Sequence, residues 1–128
     1  MEARILVVED EADLRQAIGE ALSDAGFEVT ATRTGDEAAI LFADRDRFDL
    51  LLTDIHIPGV LDGLDLAELA REVHPGLPVI IVSGVVEDRG KADRQMHGLG
   101  EPWVFLPKPF DTNRLLRAVF GVLDPRSA

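Results

Sequence analysis

The apolar pattern begins with Ile5-Leu6-Val7-Val8, a short, β-branched, uninterrupted run. Such a run is expected of a strand buried on both faces. Leu14, Ala17, Ile18, Ala21 and Leu22 then recur at helical spacing, and Gly26 offers a stop. Residues 28–32 alternate weakly and read as an edge strand. Thr34, with Glu37 three residues on, has the form of a capping box opening a helix through Ala38, Ile40, Leu41 and Phe42. Leu50-Leu51-Leu52-Thr53 repeats the buried-strand pattern and closes on Asp54. Pro58, Gly59 and Gly63 mark a loop; Leu64, Ala67, Leu69, Ala70 and Val73 predict a third helix, ended by the turn His74-Pro75-Gly76. Val79-Ile80-Ile81-Val82 is another buried strand and Val104-Phe105-Leu106 a short last one. Beyond Pro107-Lys108-Pro109, the positions Leu115, Leu116, Val119, Phe120 and Leu123 predict a closing helix. Between Val85 and Pro102 the pattern is undecided. Ala92, Met96 and Leu99 fit a helical stripe, while Gly90, Gly98 and Gly100 oppose it.

Repeated strand–helix alternation implies an α/β fold: a doubly wound, five-stranded parallel sheet with right-handed crossovers and helices on both faces. At 128 residues the chain has the size of a single domain, 1–128, with its core at about 3–123. Such a length buries a core without disulfides, and the chain has no cysteine to form them or to supply a thiol nucleophile. The start, Met1-Glu2-Ala3-Arg4, has no basic segment followed by an apolar one, and the apolar runs are far too short to span a membrane. A cytoplasmic protein without a membrane partner is expected. Charge sharpens the picture: 13 Lys+Arg against 24 Asp+Glu leave −11. Phosphate backbones demand clustered cations, so nucleic acid is not an expected partner of this chain.

Ligands of open α/β sheets bind beyond the carboxyl ends of the strands. There the apolar runs turn polar: Glu9, Asp10 and Glu11 after the first, Asp54 after the third, Ser83 after the fourth, Lys108 after the fifth. In the strand order 2-1-3-4-5, the first and third strands are neighbours, so Asp10 and Asp54 converge. Converging carboxylates repel unless a cation intervenes, and hard oxygen ligands suit Mg²⁺. A hydroxyl and a lysine opposite the metal suit a phosphoryl group. The set reads as a phosphoryl site whose nucleophile is a carboxylate.

With these pieces assembled, ILVVEDE, LLLTDIHIPG, VIIVSG and FLPKPF in this order and spacing, the chain resembles a response-regulator receiver domain of two-component signalling, from residue 3 to about 123. The resemblance implies that Asp54 is the phosphoacceptor. It implies that Asp10 ligates Mg²⁺ (or Mn²⁺) together with Asp54, that Glu9 acts through a metal-bound water, and that the His56 backbone carbonyl completes the protein ligands. Ser83 takes the place of the hydroxyl that bonds the phosphoryl oxygen. Gly84 matches a position kept small for access of the phosphodonor. Lys108 pairs with Asp54 and then with the phosphoryl group, and the Lys108–Pro109 bond is usually cis in this family. Phe105 stands at the aromatic switch position, commonly Tyr. The implied partners are a histidine kinase or histidine phosphotransfer protein, and an effector or second copy at the face of the fourth helix, last strand and last helix. Two departures bear on that face. The loop at residues 58–63 is one residue longer than the common pattern, and the glycine-rich span from Ser83 to Lys108 is also longer.

Two other classes compete. A metal-dependent aspartyl-phosphate phosphohydrolase usually needs an acid/base carboxylate two residues after its nucleophile, where this chain has His56. A phosphorylation-independent interaction module would not need the intact set Asp10, Asp54, Ser83 and Lys108. The favoured reading is a switch that catalyses only its own phosphoryl transfer and dephosphorylation. His56 is expected to be an exposed side chain whose backbone does the work. His74 and His97 are expected at the surface.

Overall fold

The computed structural model describes residues 2–44 and 47–124; residues 125–128 of the expected single domain lie outside the described residues. Ten elements alternate: β1 (Arg4–Val8), α1 (Ala12–Asp24), β2 (Glu28–Thr32), α2 (Gly35–Ala43), β3 (Leu50–Asp54), α3 (Gly63–Val73), β4 (Val79–Ser83), α4 (Asp88–Leu99), β5 (Trp103–Pro107) and α5 (Thr112–Leu123). The five strands form one sheet in the order β2-β1-β3-β4-β5, with every pairing parallel. β2 lies at an edge, as its weak alternation predicts, and β3 and β4 are buried throughout.

The continuous apolar strands serve two cores at once, because successive side chains point to opposite faces. Leu6, Val8, Leu51, Val79 and Ile81 face α2, α3 and α4 in one buried cluster. Ile5, Val7, Leu50, Leu52, Ile80 and Val82 face α1 and α5 in the other. An uninterrupted apolar strand is the sequence signature of a sheet covered on both sides.

The undecided segment is helical. α4 buries Ala92 and Met96, half-buries Leu99, and ends at Gly100, whose φ of +79° suits glycine. Three apolar positions assigned to helical stripes lie outward instead: Ile40, Val73 and Phe120 are exposed. Phe120 leans on Phe27, ring centroids 5.5 Å apart, so it covers an edge rather than filling the core. Thr34 does cap α2, accepting the Glu37 N–H at 3.0 Å, but Glu37 turns its carboxylate to the Thr34 hydroxyl rather than to the backbone. The reciprocal capping box belongs to α3, between Asp62 and Asp65.

Candidate functional site

Four strand ends converge at one edge of the sheet. Glu9 and Asp10 follow β1, Asp54 closes β3, Ser83 closes β4 and Lys108 follows β5. Parallel pairing in register carries them there: Val8 lies opposite Thr53, Asp54 opposite Val82 and Ser83 opposite Pro107. Carboxylate oxygens of Glu9, Asp10 and Asp54 lie within 4.8 Å of one another. The Lys108 ammonium is 3.0 Å from Glu9 Oε1 and forms a very short ion pair with Asp54 Oδ2. The Lys108–Pro109 bond is cis.

Backbone contacts hold these groups in place. The His56 N–H donates to Asp54 Oδ1 at 3.0 Å, and the Glu11 N–H to Glu9 Oε2 at 3.1 Å. Arg15 donates to the carbonyls of Glu9 and Asp10, pinning the β1–α1 turn from the first helix. Gly63 packs directly on the strand end that carries Asp54; a Cβ there would stand 2.0 Å from the Asp54 carbonyl oxygen. The longer loop is held by Asp36, whose carboxylate accepts from the N–H groups of Val60 and Leu61 at 3.4 and 3.3 Å.

The local charge is unbalanced: one ammonium faces three carboxylates. Burial raises the Glu9 carboxyl above its usual range and the Asp54 charge adds to this, against the lowering pull of the Glu11 N–H and Lys108. For Lys108, burial alone would lower the ammonium. Its hydrogen bonds to Asp54 and Glu9, with their charges, outweigh burial and raise it. An all-oxygen, carboxylate-rich set with surplus negative charge fits a hard divalent cation, and Glu9, Asp10 and Asp54 are the side chains that would hold it.

Ser83 is placed differently from the rest. Its side chain is buried at the strand end, but its hydroxyl donates to Asp88 Oδ2 at 2.6 Å and accepts the Val85 N–H at 3.0 Å. The His56 ring, although 58% exposed, brings Nε2 to 2.5 Å from the same Asp88 oxygen. Burial pushes the Asp88 carboxyl up, but the Ser83 and His56 hydrogen bonds and the nearby positive charges outweigh it and hold the group below its usual range. Asp88 is thus ionised at neutral pH, and Nε2 carries the proton of that bond.

Gly84 is exposed, and a Cβ there would make only ordinary contact with the Lys108 stem, at 3.6 Å. Packing within the fold therefore does not require glycine at this position. Phe105, paired with Ile81 of β4, is half-buried with Trp103 against the α2–α4 core, with the Arg89 guanidinium 4.9 Å from its ring centroid. Asp88, Arg15 and Asp36 were not singled out by the sequence. Each is one charged residue on a helix, and only the tertiary fold shows what it holds.

The model of the response regulator receiver domain family matches residues 5–120. The chain belongs to that family. It is 36% identical over 121 residues to the response regulator protein FleR of Pseudomonas aeruginosa, covering 93% of this chain and 24% of FleR. It is 33% identical over 115 residues to the DNA-binding transcriptional regulator NtrC of Salmonella typhimurium, covering 90% of this chain and 24% of NtrC. The crystal structure of a response regulator receiver protein from Sinorhizobium medicae superposes with a TM-score of 0.84 at 32% identity, covering 98% of this chain and 97% of that one. The receiver fold and its place in two-component signal transduction are thereby established. The chain spans about a quarter of the length of FleR and NtrC. Among the described residues, no helix is long and apolar enough to cross a membrane.

Proposed function

We propose that this receiver domain, spanning the chain as one unit, accepts a phosphoryl group on Asp54 from a phosphohistidine of a histidine kinase or phosphotransfer protein, with Mg²⁺ or Mn²⁺. The observation that carries this reading is the meeting of Glu9, Asp10 and Asp54 within 4.8 Å, with Lys108 ion-paired among them. An Asp54 carboxylate oxygen forms the new P–O bond as the donor's P–N bond breaks, and the leaving imidazole keeps the electron pair. Charge that builds on the phosphoryl oxygens is met by Lys108, already within reach of Asp54. Asp10, Asp54 and the His56 carbonyl would ligate the cation directly and Glu9 through water; when bound, the cation neutralises charge on the transferring group. The exposed Gly84 leaves the approach to the site clear. Water later cleaves the acyl phosphate, so the domain resets itself and turns over no external substrate.

The output proposed is a shift at the face of α4, β5 and α5, where an effector or second copy docks. When Ser83 turns to the phosphoryl oxygen it vacates space, and Phe105 turns inward on packing alone, having no hydroxyl to bond there. Incubation with a small phosphodonor and Mg²⁺, followed by intact-mass measurement, tests the acceptor. One hydroxylamine-labile phosphoryl group is expected on the wild type and none on Asp54→Asn; an equal yield on both would refute the assignment. In the same reading, Mg²⁺ raises the melting temperature by mass action, and Asp10→Asn removes most of that rise. Equal stabilisation of both proteins would mean only a general ionic effect on an acidic chain.

A further inference from the structure

Ser83 cannot serve two acceptors. A hydroxyl has one proton to donate, and here that proton is spent on Asp88 Oδ2 at 2.6 Å, in a buried setting. Asp88 is the first residue of α4 and 6% exposed, so the bond joins the end of β4 to the start of the neighbouring helix. The bond is charge-assisted, which makes it about twice as strong as a neutral one. The same oxygen also meets His56 Nε2 at 2.5 Å, from the loop after β3. Loss of Ser83 would therefore leave Asp88 with one remaining partner rather than none.

We propose that Asp88 is a positioning residue for phosphoryl recognition: it holds the Ser83 hydroxyl away from Asp54, and this bond must break before Ser83 can donate to a phosphoryl oxygen. The inference rests on Asp54 as the acceptor. The Ser83–Asp88 bond opposes the phosphorylated arrangement by its own strength, and breaking it frees the first turn of α4 from β4. One hydrogen bond redirected from Asp88 to a phosphoryl oxygen thus couples the chemistry at Asp54 to the helix of the output face. A carboxylate in a helix's first turn also complements the helix dipole, but that role affects only stability. The two roles separate when the binding of a phosphoryl mimic is measured.

The experiment is calorimetric titration of the whole chain with beryllofluoride at saturating Mg²⁺, on wild type, Asp88→Asn, Asp88→Ala, Ser83→Ala and the double variants. Removing the competing acceptor should tighten beryllofluoride binding about tenfold in Asp88→Ala. The isosteric Asp88→Asn retains a neutral acceptor and should tighten it about fivefold. In the Ser83→Ala background both gains should vanish, because no hydroxyl remains to be released. Equal tightening with and without Ser83 would show a plain field effect of removing a negative charge, and would overturn the proposal. So would the absence of tightening in Asp88→Asn, which conserves shape and guards against misfolding of the alanine variant. Wild type that fails to bind beryllofluoride at all would instead refute Asp54 as acceptor, so the two failures are distinguishable.

Discussion

α3 and α4 are neighbours on the same face of the sheet, similar in length, and held by opposite means. α3 begins with a reciprocal capping box and buries Leu64, Leu66, Ala67 and Ala70. α4 has no side-chain cap, and its apolar anchorage is Ala92 and Met96, with Leu99 half-buried. Each large apolar side chain buried contributes about 1.5–3 kcal/mol, so α3 is fixed by its core while α4 has little of its own. Polar ties at its ends supply the difference. Ser83 and His56 hold Asp88 at the first turn, and Arg71 grips the carbonyls of Leu99 and Gly100 at the last. An apolar core gives up its contacts only by unfolding or leaving a cavity. A polar tie can exchange one acceptor for another at small net cost. The helix over the strand that ends in Asp54 is therefore the rigid one, and the helix beside the Ser83 strand is held by ties that a competing acceptor could take over.

The largest effect should come from breaking the rigid side. Gly63 opens α3 against the Asp54 carbonyl, where a Cβ would come within 2.0 Å of backbone oxygen. Backbone there has no rotamer by which to yield, so Gly63→Ala should cost about 4 kcal/mol or more in denaturant unfolding. It should also weaken Mg²⁺ binding, because the strand end that carries Asp54 must shift. A mild loss with Mg²⁺ affinity intact would show that α3 is not the platform described.

Next comes the strut between the two helices. Arg71, buried on α3, donates to the carbonyls of Leu77, Leu99, Gly100 and Pro102 at 2.7, 2.7, 2.9 and 2.8 Å. Burial lowers the guanidinium, with Glu101 pulling the other way; at neutral pH it remains charged. Arg71→Met keeps an apolar stem but strips these carbonyls of their donor, and should cost about 3 kcal/mol. Amide exchange should rise across α4 and the turn to β5 more than in α3. Uniform loss of protection would mean that Arg71 supports the whole fold rather than the weaker helix.

The same contrast sets what was legible in the sequence. β1, β3 and β4 announce themselves because a strand covered on both faces must be apolar at every position, and the site residues stand where those runs turn polar. α4 offers no such signal: two anchors, two internal glycines, and ends fixed by residues distant in the chain. Asp88 is one acid among 24 Asp+Glu, and nothing about its position marks it as the partner of Ser83 until β4 and α4 are seen together. Ile40, Val73 and Phe120 mislead in the other direction, since helical spacing alone does not say how wide the buried stripe is.

The smallest effect should appear at the glycines that made α4 undecided, and it should differ in sign over two residues. Gly100 ends the helix at φ +79° and ψ 178°, a conformation that side chains resist, so Gly100→Ala should cost about 1–3 kcal/mol. Gly98 lies inside the helix without a positive φ, and a Cβ there meets nothing within 4 Å. Gly98→Ala removes freedom from the unfolded chain at no steric cost and should stabilise the domain by about 0.5 kcal/mol. That gain is local to the loosely held helix, so slower amide exchange should be confined to α4 and leave α3 unchanged. If Gly98→Ala instead destabilises, that turn of α4 is packed more tightly than its open surroundings imply, and the contrast between the two helices is weaker at its C-terminal end than at Asp88.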